Sequence, residues 1–327
     1  MTAPLLDVHD LETTFFSPRG AVKAVDGVSL HVMAGESVGL IGESGSGKSM
    51  TAASILRLVP PSGRTVAGSV MLAGRDLMRL DDEAMRRVRH SEVGMIFQDA
   101  GACLNPVMTV ADQIIEAVTG RGVQGELDRR RVTDVLAAVR IPDPERVADA
   151  YPHHLSGGMR QRVMIAAALI RDPALIVADE PTTALDATVQ RDLLRLLIDL
   201  RAKQNAALLF ISHDLAVIAG LCQRVYIMYA GQIVEEGPTR EVFANPHHPY
   251  TRALVASILD PWEPAREIIA LQGDPPDMAA PPSGCRFHPR CPSVFGPCAT
   301  LAPALADTGG GRTARCWLHQ QVPAVSP

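Results

Sequence analysis

The chain is predicted to adopt an α/β fold, with a mostly parallel sheet covered by helices. It also carries an inserted α-helical subdomain and a loop-rich C-terminal appendage that contains cysteines. Three observations predict this. Before residue 99 and again from Ala174, short apolar runs alternate with turns and helical spacing, the pattern that βαβ crossovers produce. Between them, over about residues 99–165, the pattern is mostly helical. Beyond Phe243 the composition changes, and 14 of the 25 prolines lie in residues 246–327 with four of the six cysteines. The expected boundaries are therefore 1–245 for the main domain and 246–327 for the appendage.

Each element has a local reason. Ser37–Ile41 is an apolar strand running into a glycine loop, and Ser49–Leu58 follows with helical spacing until Pro60, Pro61 and Gly63 stop it. Val93–Phe97 reads as another buried strand. Glu126–Arg140 has Leu127, Val132, Val135, Leu136 and Val139 at helical spacing. Leu175–Ala178 and Ala207–Ile211 read as strands, with helices around Val189–Leu200 and from Asp214. The last 82 residues are too rich in proline for long helices.

Composition excludes several function classes. A net charge of −5 lacks the electrostatic footprint of a nucleic-acid binder, and 4% aromatic residues leave few rings for base stacking. No apolar run approaches the ~18–20 residues that span a bilayer. Asp7, Asp10 and Glu12 do not suit a secretory signal. If the chain moves something across a membrane, other chains must supply the pore.

Gly42–Ser49 reads G-E-S-G-S-G-K-S between strand and helix, as a phosphate loop requires. Gly42, Gly45 and Gly47 let backbone amides turn inward, and Glu43, Ser44 and Ser46 complete the cradle, with Met50 following in the helix. Lys48 is placed to reach the β- and γ-phosphates and Ser49 to ligate Mg²⁺. Asp179 ends the apolar strand at the sheet edge where α/β ligands bind, and is placed to hold Mg²⁺ through water or directly. Glu180 is the candidate general base for the attacking water. Leu155–Arg162 reads L-S-G-G-M-R-Q-R: Ser156 is a good N-cap, and Gly157 and Gly158 let a ligand approach the first amides. This is a second phosphate site without a second phosphate loop, which a head-to-tail pair of ATPases would explain.

The order of phosphate loop, glycine-pair helix and acidic strand end resembles the nucleotide-binding subunit of an ABC transporter, and hence a P-loop ATPase core. The resemblance implies roles for further residues. Gln98 looks like the glutamine that contacts Mg²⁺ and water, His213 like the switch histidine at the γ-phosphate, and Asp186 like the aspartate that crosses the dimer interface. Phe15 sits where the family places an aromatic ring against adenine. The stretches S-G-S-G-K-S-M-T-A-A-S-I-L-R-L and D-E-P-T-T-A-L-D-A-T-V-Q, with N-P-H-H-P-Y-T-R-A-L at Asn245–Leu254, are similar to bacterial dipeptide and oligopeptide importer ATPases. One departure follows Gln98, where Ala100 and Cys103 interrupt the usual D-P-x-x-S-L-N-P. His247, His248 and Tyr250 read as packing and turn residues.

Cys285, Cys291, Cys298 and Cys316 are spaced C-x5-C-x6-C-x17-C, a poor fit to zinc ribbons and better suited to a [4Fe–4S] cluster. The resemblance implies such a cluster for some relatives; zinc and four unligated thiols stay open. Their distance in sequence from the ATP motifs makes a structural role the expectation. The implied function is ATP-driven uptake of di- or oligopeptides from the cytoplasmic face of the inner membrane. Its implied partners are a second ABC ATPase in a heterodimer, two permease subunits, an external solute-binding protein acting indirectly, and no nucleic acid. The alternatives are the same role for nickel or another small solute, and a non-transport ABC ATPase. The single cassette and the 106 residues between Ser49 and Leu155 disfavour the latter.

Overall fold

The structure, a computed structural model, describes residues 3–17, 20–119, 122–183, 186–257 and 272–322. The chain begins with β1 (Leu6–Ser17), β2 (Gly20–Val32), β3 (Ser37–Ile41), α1 (Lys48–Ile55), β4 (Gly63–Leu72), β5 (Arg75–Asp76) and α2 (Asp82–Ser91). Next come β6 (Val93–Ile96), α3 (Ala100–Cys103), α4 (Val110–Thr119), α5 (Glu126–Ala138), α6 (Pro144–Ala148), α7 (Gly157–Leu169), β7 (Leu175–Asp179) and α8 (Ala187–Gln204). The remainder is β8 (Ala207–Ser212), α9 (Leu215–Leu221), β9 (Arg224–Tyr229), β10 (Gln232–Pro238), α10 (Thr239–Ala244), α11 (Pro249–Ala256), β11 (Ala306–Gly309) and β12 (Arg312–Ala314). These elements fall into two compact units.

One unit is formed mainly by Arg79–Phe210. Its strands run in the order β8-β7-β6, with β6 and β7 parallel and Val93 opposite Leu175. Every residue of β7 is buried, as expected for a parallel strand covered on both faces. α7 lies so close to β6 that a Cβ on Gly94 would sit 2.6 Å from the Ala168 carbonyl oxygen. On α5, Val132 and Leu136 are buried and Val139 closes the stripe, but Leu127 is 74% exposed, so the apolar face starts later than its spacing suggests. The sequence reading also missed α2, whose Asp81 N-cap accepts from the Ala84 N–H.

The other unit comprises Leu6–His31, Ser37–Met78 and the chain from Ile211 onward. It holds an antiparallel sheet in the order β2-β1-β4-β5 and a second run, β11-β12-β10-β9-β3. β3 pairs parallel to β9, with Val38 opposite Arg224 and Ile41 opposite Ile227. β9 and β10 form an antiparallel hairpin, and β12 adds to β10 with Ala314 opposite Glu235. The proline-rich C-terminal stretch therefore extends the same strand run whose far end, β3, launches the glycine loop. Arg312 on β12 forms a buried ion pair with Glu235 on β10.

Candidate functional site

The phosphate loop belongs to the second unit. β3 is buried throughout, and the chain leaves it at Gly42, where a Cβ would lie 2.2 Å from the Met228 carbonyl oxygen. At Gly47, with φ of 106°, a Cβ would lie 2.3 Å from the Ala24 carbonyl oxygen. Those two glycines are required by backbone packed beneath them. Gly45 differs: its φ is 77° and nothing lies within 4 Å of its Cβ position, so there the loop needs a left-handed turn on its open side. Lys48 starts α1 and curls back, donating from Nζ to the carbonyls of Gly42 (2.8 Å) and Glu43 (3.0 Å). Ser46 Oγ is buried and is without a hydrogen-bond partner, the unmet polar group a phosphate oxygen would satisfy. Ser44 and Ser49 are exposed.

Sequence reasoning missed what holds Glu43. Its backbone N–H donates to the Tyr250 hydroxyl at 2.9 Å. Its carboxylate accepts two bonds from the Arg290 guanidinium, at 2.8 and 3.1 Å. Tyr250 is therefore more than a packing residue. Phe15 and His213 fall in the same unit. Phe15 is half-buried, and its ring would lie 2.9 Å from a Cβ on Gly63; the neighbouring Phe16 is 48% exposed with the Arg64 guanidinium 4.7 Å above it. His213 is exposed directly after β8, ahead of Asp214, which caps α9.

The first unit holds the acidic strand end. Asp179 closes β7 with its side chain nearly buried. Glu180 follows with φ of 45°, a left-handed conformation that costs a non-glycine residue about 1–3 kcal/mol and collects at functional sites. Its Oε2 accepts from Thr183 Oγ1 at 3.1 Å and from Gln98 Nε2 at 3.4 Å. Gln161, on the glycine-pair helix α7, donates to the Pro181 carbonyl at 2.7 Å and so ties that helix to the turn carrying Glu180. Gln98, Gly157, Arg160, Gln161 and Thr183 line one cleft. Thr183 and Gln161 lie inside the motifs D-E-P-T-T and G-G-M-R-Q, where their chemistry could have been suspected.

The glycine pair divides its work. Ser156 caps α7 by accepting from the Met159 N–H at 3.3 Å. Around Gly157 nothing lies within 4 Å of a Cβ position, whereas at Gly158 a Cβ would meet Val189 at 3.0 Å. Gly157 leaves the helix start open to a ligand; Gly158 serves helix packing. Asp186 caps α8, accepting from the Thr188 and Val189 N–H groups at 3.1 and 3.0 Å, and remains exposed.

Comparisons with known proteins agree with this geometry. The ABC transporter family model matches residues 25–183, and the model for the oligopeptide/dipeptide transporter C-terminal region matches 234–298. A probable peptide ABC transporter ATP-binding protein of Sinorhizobium fredii is 47% identical, covering 97% of this chain and 96% of the relative. The chain belongs to the ABC transporter ATP-binding proteins. Two Bacillus subtilis members are also similar. The oligopeptide transport ATP-binding protein AppD is 43% identical over 97% of each chain, and the dipeptide transport ATP-binding protein DppD is 41% identical over 97% of this chain and 95% of its own. A dimeric ATP-binding cassette solved in a post-hydrolysis state with ADP and Pi superposes with a TM-score of 0.64 at 28% identity, covering 72% of this chain and 99% of that one.

As an ABC ATPase the chain also carries the C-terminal region typical of that peptide-transporter model. There Cys285, Cys291, Cys298 and Cys316 line one pocket with His248, Phe287 and Trp317. Burial pushes the Cys285 thiol up to about 11, and raises Cys291 and Cys316 as well. All four are free thiols. Among the described residues, no group of three or more Cys, His, Asp or Glu is placed to hold a metal ion. The expected iron–sulfur or zinc ligands are thus gathered, but not in ligating positions: the donor chemistry suits a thiophilic metal and the placement does not. Nor is the pocket remote from the ATP motifs, because Arg290, which grips Glu43, directly precedes Cys291. Among the described residues no helix is long and apolar enough to cross a membrane.

Proposed function

We propose that this ABC ATPase powers uptake of di- or oligopeptides through two membrane permease subunits fed by an external binding protein. The reading places it at the cytoplasmic face of the inner membrane, paired with a second, related ATPase. The observation that carries it is the match to the oligopeptide/dipeptide transporter C-terminal region, on a chain similar along 97% of its length to proteins named for peptide transport. We assign 1–245 to the ATPase domain, with the helical subdomain at about 99–165, and 246–327 to the importer-specific region.

In this reading backbone amides of the loop beyond Glu43 and the Lys48 ammonium bind the β- and γ-phosphates. Mg²⁺, when bound, neutralises charge on those phosphates, and the oxygen donors Ser49, Asp179 and Gln98 are of the type a hard cation takes. Glu180, oriented by Thr183 and Gln98, accepts a proton from the attacking water. His213 contacts the γ-phosphate, and Phe15 supports adenine. Ser156 and Gly157 serve the nucleotide on the partner ATPase, with Gly158 seating their helix against Val189, and Asp186 crosses the interface between the two ATPases. A groove of about 500 Å³ is lined by Phe97, Cys103, Leu104, Met108 and Met164 among others. The departure at Cys103 lies in that groove.

The four cysteines are the donor type a [4Fe–4S] cluster takes, a reading that their placement does not support. Iron-free, colourless protein from an anaerobic, iron-replete preparation removes the cluster; brown protein whose colour is lost on Cys291→Ser retains it. The transport reading is tested by uptake of a labelled dipeptide and a labelled oligopeptide in cells carrying wild type or Glu180→Gln. Loss of either uptake supports it and sets the cargo size. Unchanged uptake of both, with the variant present and no redundant importer, refutes it, and nickel uptake is then measured.

A further inference from the structure

We propose that the C-terminal region acts as a clamp on the phosphate loop, with Arg290 and Tyr250 as positioning residues that set the affinity for ATP by fixing Glu43. The inference rests on the assignment of Gly42–Ser49 to ATP.

Every polar group of Glu43 is engaged. Its N–H goes to the Tyr250 hydroxyl at 2.9 Å, its carbonyl receives Lys48 Nζ at 3.0 Å, and its carboxylate is gripped by both Nη atoms of Arg290 at 2.8 and 3.1 Å. The Ser46 N–H also donates to that carbonyl at 3.1 Å, and of the four partners Tyr250 and Arg290 come from the region that matches the transporter C-terminal model. Neither is a flexible surface group. The Arg290 side chain is 6% exposed, and Tyr250 is fully buried.

One aromatic block holds both partners. Tyr229 lies 4.6 Å from Tyr250 and 5.2 Å from Phe287 between ring centroids, and Phe287 lies 5.5 Å from Tyr250. Phe287 and Arg290 are joined by the bond from the Arg290 N–H to the Phe287 carbonyl, and Arg290 Nε donates to the Gln272 carbonyl at 3.1 Å. Arg290 also stands over the Tyr229 ring at 5.8 Å. The guanidinium fork is thus set before it meets Glu43, so little side-chain entropy is lost in the bond.

The chemistry gives the clamp a purpose. A carboxylate within an anion-binding loop repels the phosphates the loop is built to hold, and a bidentate arginine cancels that charge while fixing its direction. The Tyr250 hydroxyl takes up the Glu43 amide and so sets the peptide plane that opens the cradle. With either partner gone, the loop samples other orientations and the bound geometry costs more to reach.

The test measures ATP binding and steady-state ATPase of the full-length chain for Arg290→Ala, Arg290→Lys, Tyr250→Phe, Glu43→Gln and the double variant Glu43→Gln/Arg290→Ala, with Lys48→Ala as a control. Arg290→Ala and Tyr250→Phe are each expected to raise Kd and KM for ATP by about three- to tenfold, with kcat changed by less than about twofold. Arg290→Lys, which keeps the charge but not the fork, is expected to recover part of the loss. In the Glu43→Gln background the Arg290→Ala effect should shrink, because the two side chains act as one unit. A Kd for ATP within about twofold of wild type in folded Arg290→Ala and Tyr250→Phe overturns the clamp, as does an Arg290→Ala effect that persists undiminished without the Glu43 charge. If Lys48→Ala abolishes ATP binding while the clamp variants do not weaken it, the clamp alone fails; if Lys48→Ala also leaves binding intact, the ATP assignment fails with it.

Discussion

Replacing Arg312 by Ala should destabilise the protein severely, because it strands a carboxylate in the core. Glu235 is fully buried. Its Oε1 accepts from Arg312 Nη2 at 2.9 Å and from the His247 N–H at 2.8 Å, and its Oε2 accepts from the His248 N–H at 2.8 Å. Arg312 also donates to the Asn245 carbonyl at 2.6 Å, and its stem lies against Gly237, where a Cβ would come within 2.7 Å of Arg312 Cγ. After Arg312→Ala two backbone donors remain on Glu235, but the countercharge is gone. Breaking a buried pair by removing one partner costs about 3–5 kcal/mol. Chains of 150–250 residues lose about 2–4 °C of Tm per kcal/mol, and at about 2 °C per kcal/mol for this longer chain the expected fall is about 6–10 °C. Far-UV circular dichroism during heating and urea titration measures it. The double variant Arg312→Met/Glu235→Gln should recover much of the loss, since it removes both charges and keeps their volume. A fall below about 1 kcal/mol for Arg312→Ala, or a double variant no more stable than the single, would refute the stranded-charge reasoning.

Three further predictions concern the site and the neighbouring C-terminal region. Glu180→Gln keeps the side-chain volume and its contacts with Thr183 and Gln98 but cannot accept a proton. ATPase activity of the assembled transporter should fall by about 10²–10⁴-fold with ATP binding retained, and near-normal turnover would move the base elsewhere. The two helix-start glycines should separate. Gly158→Ala pushes on Val189 and should cost about 1 kcal/mol in thermal unfolding. Gly157→Ala, with open space around it, should leave stability within about 0.5 kcal/mol while lowering ATPase of the dimer; equal effects on stability would erase the distinction. Burial, with the neighbouring His319 and Arg315 charges, holds the His248 imidazole down at about 3, and its Nδ1 accepts the Tyr250 N–H, which only the neutral ring can do. The unfolded state takes up that proton below its ordinary value of 6.5, so stability is full above pH 6.5 and falls by up to about 1.4 kcal/mol per pH unit toward pH 3. His248→Asn should flatten the Tm profile between pH 7 and 5, and an unchanged slope would remove His248 as its source.

What the sequence made legible was what is local in sequence. The phosphate loop, the Asp179–Glu180 strand end and the Ser156 cap each depend on residues within a turn of one another, so residue type and spacing were enough. Leu127 shows how a local pattern fails: a helix's apolar stripe is buried only where another element covers it, and Leu127 begins α5 at 74% exposure. The cysteines mark a second limit, since closeness in sequence brought four thiols to one pocket while ligation also needs directions that no spacing encodes. The contacts of Glu43 mark the third. Its backbone partner lies 207 residues away and its ion-pair partner 247. Neither pairing has a motif, because each depends on the strand run that carries β3, β9, β10 and β12 side by side. Proline density foretold short elements at the C-terminus, yet three residues sufficed for β12 to pair with β10. Remoteness of the cysteine segment from the ATP motifs was therefore a property of the chain's order alone: in the folded protein the residue before Cys291 reaches Glu43 with a 2.8 Å bond.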